Sequence, residues 1–279
     1  MKTFAERIKE LSAVGYRLAD AQTKVAHDAI LLAMHKSGFK KNSTIKGGVV
    51  MCEITKDRRR TTMDIDFDVI RYSISDLSIQ RLIRRLARLS GFSISIFGTI
   101  TELRQDDYRG KRLFVDVNDG SLKRPVRTKI DIGVHTLREL HQVECRFEAL
   151  ASDKKASLFV NSKEQIFAEK LLSLIKHGFL STRQKDVFDM YYLSKHVKLA
   201  SLRRVLRTVI LDNRRCAIRD PRQIVNFVAD VFSSKRFMKS LANPKVNWLQ
   251  LSPDMITSEL LRFLQRVFLG KQAGTKQSV

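Results

Sequence analysis

Apolar residues recur three and four positions apart from Phe4 to about Leu18, and again from Thr23 to about Met34, where Val25, Ile30, Leu31 and Met34 share a stripe. That spacing predicts two amphipathic helices. Gly38 and the polar KKNS stretch break the pattern, and Gly47–Gly48 reads as a tight turn before a short apolar segment, Val49 to Ile54. The period then changes to two. In TMDIDFDVI, residues 62–70, Asp64, Asp66 and Asp68 fall on one face and Ile65, Phe67 and Val69 on the other, which predicts a strand with an acidic face. A helix follows from about Asp76 to Leu89, striped by Leu77, Ile79, Leu82, Ile83, Leu86 and Leu89 and stopped by Gly91. Three β-rich runs, 93–100, 112–118 and 126–134, extend the sheet, the last two joined through an Asn118–Asp119–Gly120 turn.

Beyond about Ala151 the strand signals fade. Ser162 with Gln165 three positions on has the spacing of a capping box, opening a helix that carries Ile166, Phe167, Leu171, Leu172 and Leu174. Helical periods continue through 183–196, 200–212, 221–233 and 254–269, and the polar tail from Lys271 is expected to fray. The expected fold class is α+β, with a mixed sheet and flanking helices over residues 1–150 and a mostly helical domain over 151–279.

Charge narrows the partners. The chain carries 52 Lys and Arg against 29 Asp and Glu, a net charge of +23, far beyond what solubility requires. Residues 1–150 hold 28 basic and 19 acidic side chains, and residues 151–279 hold 24 and 10, so the second part is the more basic. Such a surplus predicts a polyanionic partner, which charge alone leaves open among RNA, DNA, nucleotide triphosphates and an anionic membrane, with nucleic acid or nucleotide leading. The N-terminal MKTFAERIKEL contains no apolar run of signal-peptide length and no span is long enough for a membrane helix, so a cytoplasmic location is expected with no membrane partner. Cys52, Cys145 and Cys216 are too scattered for a disulfide framework or a zinc site and read as free thiols.

The acidic strand is the leading candidate for chemistry. Alternation turns Asp64 and Asp66 the same way, with Cα atoms roughly 7 Å apart. Clustered carboxylates repel, and a bound cation removes the repulsion. Magnesium fits because it bridges carboxylates and substrate phosphates, with manganese as an alternative. A bare DxD also occurs on solvated strand faces, so its surroundings decide. Gly47–Gly48 lie upstream, Arg60 and Thr62 precede the acidic pair, and TKIDIG supplies Asp131 from another strand.

A glycine turn, then DxD on a strand, then a third carboxylate on a neighbouring strand resembles the polymerase β-type nucleotidyltransferases. More specifically, KGG at 46–48, RTTMDIDF at 60–67, FAEKLLSLI at 167–175 and RQKDVFDMYYL at 183–193 resemble the AbiEii/AbiGii nucleotidyltransferase toxins, in the right order. The resemblance implies that Asp64 and Asp66 bind the metal, and that Lys46, Gly47, Gly48, Arg60 and Thr62 line the nucleotide. It implies too that Lys170 contacts the triphosphate from the helical domain, in a cleft to which Asp186 also belongs. Asp186 and Asp189, three apart on one helix, are then placed to orient Lys170 or the base and ribose. The family commonly has an apolar residue where Asp68 stands. The third metal carboxylate is therefore open among Asp131, the leading choice, Asp116 and Asp68.

The six histidines form no HExxH or H-x-E pattern, and no GxSxG or P-loop occurs, which excludes the common zinc and serine hydrolases and P-loop enzymes. Tyr191 and Tyr192 fit helix packing better than base stacking, and Arg81, Arg84, Arg85 and Arg88 fit an RNA-facing patch or a solvated face equally. The resemblance implies a toxin that transfers a nucleoside monophosphate from a nucleotide triphosphate to RNA, with the tRNA 3′ end as the acceptor and a cognate antitoxin as partner. The alternatives are a basic RNA- or DNA-binding module on a transferase scaffold, or transfer to a small-molecule or protein acceptor.

Overall fold

The computed structural model describes residues 2–105, 108–134, 142–148 and 155–270; the polar tail from Lys271 lies outside them. They form two compact units, with the boundary between Asn161 and Ser162. The first unit is α+β. Its elements are α1 (Phe4–Ala13), α2 (Leu18–Lys36), β1 (Ser43–Lys46), α3 (Gly47–Thr55), β2 (Asp64–Val69), α4 (Asp76–Ser90), β3 (Ser93–Gln105), β4 (Tyr108–Asn118), β5 (Val126–Val134), β6 (Gln142–Phe147) and β7 (Ala156–Asn161).

The seven strands run in the order β3-β4-β5-β2-β1-β7-β6. β2 pairs parallel with β5 and antiparallel with β1, which places the acidic strand at the centre of a mixed sheet. Its apolar face is the core: Ile65, Phe67 and Val69 are buried, as are Leu113, Val115 and Val117 of β4 and Ile130 and Ile132 of β5. α2 covers that face, packing on β4, β5 and β7, and is itself buried along nearly its whole length. α4 packs on α2 and β3 through Ile79, Leu82, Ile83 and Leu86, while Leu77 and Leu89 at the two ends of the expected stripe stay exposed. Its start is capped by Ser75, whose hydroxyl accepts from Ser78 N–H, and its end is Gly91 at φ +80°.

Three features depart from the sequence expectation. The first helix stops at Ala13, because the chain turns and opens the longer α2 at Leu18. Gly47–Gly48 does not merely turn the chain but begins α3, so the apolar stretch behind it is helical. The first unit also continues past 150, because β6 and β7 pair antiparallel with each other and β7 joins β1 in parallel. The Asn118–Gly120 turn stands as expected, and Asp119 in it also accepts the Phe4 N–H at 2.8 Å, which anchors α1.

The second unit is helical: α5 (Lys163–His177), α6 (Lys185–Ser194), α7 (Leu199–Leu206) running into a π-turn at Arg207–Leu211, α8 (Pro221–Ser233), α9 (Lys235–Leu241) and α10 (Pro253–Leu269). α5 is its centre, packing on α6, α7 and α8 with Phe167, Ala168 and Leu171 buried. Ser162 caps α5 by accepting from Gln165 N–H, but the Gln165 amide donates to Glu169 at 2.8 Å instead of reaching back, so the capping box is one-sided. Ser252 and Asp220 cap α10 and α8 in the same way, each with proline in the first turn.

Candidate active site

Two cross-strand rows on the open face of the first unit's sheet build the site. In one, Lys46 of β1, Asp66 of β2, Asp131 of β5 and Arg112 of β4 stand opposite one another in sequence across the sheet. In the next, Asp64 of β2 faces Lys129 of β5. The result is a cluster in which Asp64, Asp66 and Asp131 each offer a carboxylate oxygen within 4.8 Å of the others.

The three carboxylates are electrostatically unequal. Asp66 is half-buried and flanked by the other two charges, and desolvation followed by the Asp64 and Asp131 charges pushes its pKa up to about 7. Burial also opposes ionisation of Asp64, yet a 2.9 Å contact to Lys129 and a hydrogen bond donated by the Thr62 hydroxyl at 2.9 Å outweigh it and leave its pKa lowered. Asp131 receives both arms of the Arg112 guanidinium, each at 2.8 Å, and Lys129 lies 3.8 Å away. Two carboxylate oxygens have about four lone-pair directions, so Arg112 leaves Asp131 able to ligate a cation. A group of ionisable oxygens that includes one whose charge is disfavoured fits a hard divalent cation, which would relieve the repulsion.

Gly47 and Gly48 lie directly against this cluster. A β-carbon on Gly47 would meet Asp66 Oδ2 at 2.4 Å, and one on Gly48 would meet the Thr62 hydroxyl oxygen at 2.4 Å. They head α3, whose N-cap Lys46 makes no side-chain cap, so the first-turn N–H groups point out of an uncapped helix start beside the carboxylates. Behind the site, the His27 ring on α2 meets the Thr128 hydroxyl at 2.9 Å, and burial lowers its pKa to about 3, so it is neutral near pH 7.

The other sequence candidates have definite places. Asp68 is buried and paired with Lys46 at 2.7 Å, and Asp116 is held by both arms of Arg127 at 2.8 and 3.0 Å, so neither joins the cluster that Asp131 completes. Arg60 is buried, donating to the Thr61 carbonyl at 2.9 Å. Lys129, Arg112 and His27 were not singled out by the sequence. Lys129 could have been found, since it lies two residues before Asp131 on the same strand face.

In the second unit, Lys170 of α5 contacts Asp186 at 2.5 Å and Asp189 at 2.9 Å, both on α6. Asp189 has no exposed surface, and its other oxygen accepts the Trp248 indole N–H at 3.1 Å. These two carboxylates therefore orient Lys170, in a triad whose lysine and Asp189 are buried and whose Asp186 is half-buried. Tyr191 reaches Glu259 through its hydroxyl, and Tyr192 stacks on His196 and lies against Trp248, as packing within the unit requires.

The match to a family model puts the chain in the nucleotidyltransferase class. A family model described as "Nucleotidyl transferase AbiEii toxin, Type IV TA system" matches residues 29–267, most of the chain, and the chain belongs to that family. No curated protein gives a significant match. Among solved structures, the chain is similar to JHP933 from Helicobacter pylori, at 15% identity and a TM-score of 0.48, covering 90% of this chain and 96% of that one. It is also similar to a candidate nucleotidyltransferase from H. pylori, at 16% identity and a TM-score of 0.46, covering 96% and 99% of the two chains. A third likeness is to an antigenic nucleotidyltransferase-like protein from Paracoccidioides brasiliensis, at 15% identity and a TM-score of 0.38, covering 86% and 92%. Among the described residues no helix is long and apolar enough to cross a membrane.

Proposed function

We propose that this protein is a magnesium-dependent toxin of the cytoplasm that transfers a nucleoside monophosphate from a nucleotide triphosphate to RNA, at the 3′ end of tRNA, and that a cognate antitoxin restrains it. The observation that carries the reading is the convergence of Asp64, Asp66 and Asp131 beside the uncapped N-terminus of α3. Held by the three carboxylates, with manganese as a substitute, magnesium would neutralise charge on the phosphates and polarise the reacting oxygens.

The protein's own groups divide the remaining work. The first-turn N–H groups at Gly47–Gly48 receive phosphate oxygens, which the absence of β-carbons lets approach. Thr62 and Lys129 hold Asp64 ionised and oriented. Arg112 fixes Asp131. Lys170, held by Asp186 and Asp189, is assigned to the triphosphate, where a point charge favours departure of pyrophosphate. In the transfer, the acceptor hydroxyl oxygen bonds to the α-phosphorus, the bond from that phosphorus to the pyrophosphate oxygen breaks, and the hydroxyl proton passes to a carboxylate of the cluster.

The test is incubation of the purified protein with magnesium, total RNA and each labelled triphosphate in turn. Label is expected in RNA of tRNA size for the wild type and not for Asp66→Ala. In bacteria, the wild-type chain should arrest growth and Asp66→Ala should not. Growth arrest by both, without labelled RNA, would point to a nucleic-acid-binding module instead.

A further inference from the structure

The cross-strand row that contains Asp64 does not end at Lys129. Lys129 stands opposite Phe114 of β4, and Phe114 opposite Phe97 of β3, so a single row reads Asp64, Lys129, Phe114, Phe97 across four strands. Phe114 and Phe97 project from the open face of the sheet, opposite the core face, and are 41% and 47% exposed. An exposed pair of large aromatic rings on a sheet whose other face already supplies the core is unnecessary for burial. Cations surround it: the Arg127 guanidinium lies over the Phe97 ring while holding Asp116, and Lys129 and Arg112 occupy the same face.

We propose that this row is a stacking platform for the single-stranded end of an RNA, carrying its last bases across the sheet toward the carboxylates. The proposal rests on the transfer reading of the Asp64 row, which gives a strand end a reason to arrive there. The spacing fits. Adjacent strands lie about 4.8 Å apart, which puts Phe114 about 10 Å and Phe97 about 14 Å from Asp64 across the sheet. A terminal nucleotide with its hydroxyl at the carboxylates can thus lay its own base or the preceding ones over Phe114 and then over Phe97 with its arginine. Aromatic rings and guanidinium planes accept any base. The net charge of +23 selects a polyanion over an apolar protein partner for this patch.

The test uses the full chain without divalent ions, so that binding is read apart from transfer. The probes are a six-nucleotide fluorescent RNA single strand and a blunt RNA duplex containing the same sequence, followed by anisotropy. The double substitution Phe97→Thr with Phe114→Thr keeps strand-forming residues, and Phe114→Trp keeps a stacking ring. The threonine pair should weaken single-strand binding at least about tenfold and duplex binding less than about twofold, while Phe114→Trp stays within about twofold of wild type. Unchanged single-strand affinity in the threonine pair would overturn the platform, as would an equal loss for strand and duplex. Light scattering that shows a wild-type dimer becoming a monomer would make the patch a self-association face and overturn it as well. Tighter, equally aromatic-dependent binding of the matching DNA strand would overturn the assignment to RNA. Aromatic-dependent binding by a wild-type protein that transfers no nucleotide would support the platform and remove the catalytic reading alone.

Discussion

Gly47 faces Asp66 so closely that a β-carbon on the glycine would come within 2.4 Å of the carboxylate oxygen Oδ2, and Gly47 holds φ at +68°. Two independent constraints therefore require glycine here. Left-handed backbone is disfavoured for other residues by about 1–2 kcal/mol, and the Asp66 side chain would have to move as well. Gly47→Ala should lower the melting temperature by several degrees and cut transfer more than about tenfold. Gly48→Ala should push Thr62 off Asp64 and raise the KM for triphosphate with a smaller loss of stability. Thermal melts and initial rates on the same preparations check both.

Asp64 and Asp66 should separate in stability even though each is needed for transfer. The proposed metal role predicts that either alanine variant falls below about one-tenth of wild-type activity, since losing such a ligand removes several kcal/mol of transition-state stabilisation. In chelator-treated protein, Asp66→Asn should be more stable than wild type at pH 8, because it removes a partly desolvated charge repelled by Asp64 and Asp131. Asp64→Ala should be less stable, because it removes the acceptor of the Thr62 hydroxyl and the nearer partner of Lys129, which keeps only Asp131 at 3.8 Å. The Asp66 pKa is raised above its unfolded value, so its contribution to stability is fully present below about pH 4 and lost as pH rises through about 7. Its ceiling is about 4 kcal/mol. A urea series on metal-free protein that ranks Asp66→Asn below wild type at pH 8 would contradict this account.

His27 runs in the opposite direction. Burial lowers its pKa from 6.5 to about 3, so the unfolded chain binds the extra proton first as the medium is acidified. Its contribution is present above about pH 6.5 and lost as pH falls toward 3. Between these limits Asp66 and His27 oppose each other in the wild type, and single variants are needed to see either. His27→Gln should flatten the loss of stability between pH 6.5 and 4, measured as the urea midpoint. An unchanged acid slope would mean that carboxylate pairing alone sets it.

Lys170→Ala removes the partner of two carboxylates, one of them fully buried. Breaking such a buried group from one side destabilises by about 3–5 kcal/mol, so a loss of activity in this variant has two causes. Lys170→Ala combined with Asp189→Asn should recover much of the melting temperature but not triphosphate use. RNA affinity, spread over many basic side chains, should change little in either variant. Recovery of the triphosphate KM together with the melting temperature would make Lys170 a structural lysine.

What the sequence determined by itself was local. Period-two alternation in 62–70 turned Asp64 and Asp66 one way and Ile65, Phe67 and Val69 into the core, because side-chain direction on a strand needs no information from elsewhere in the chain. Helical stripes and caps fixed α4, α5, α8 and α10 on the same ground. Tertiary structure decided everything that depends on which segments become neighbours. β1 was illegible because a four-residue strand whose first three residues are all buried shows no alternation. Which of the three candidate carboxylates meets Asp64 and Asp66 was a matter of strand register: parallel pairing of β2 with β5 sets Asp131 opposite Asp66, while Asp116 falls opposite Arg127, and Asp68, one step of the alternation further, pairs with Lys46. Likewise the sequence marked Lys170, Asp186 and Asp189 as polar positions on helices. Only the packing of α5 on α6 buried them together, where their charges must compensate one another.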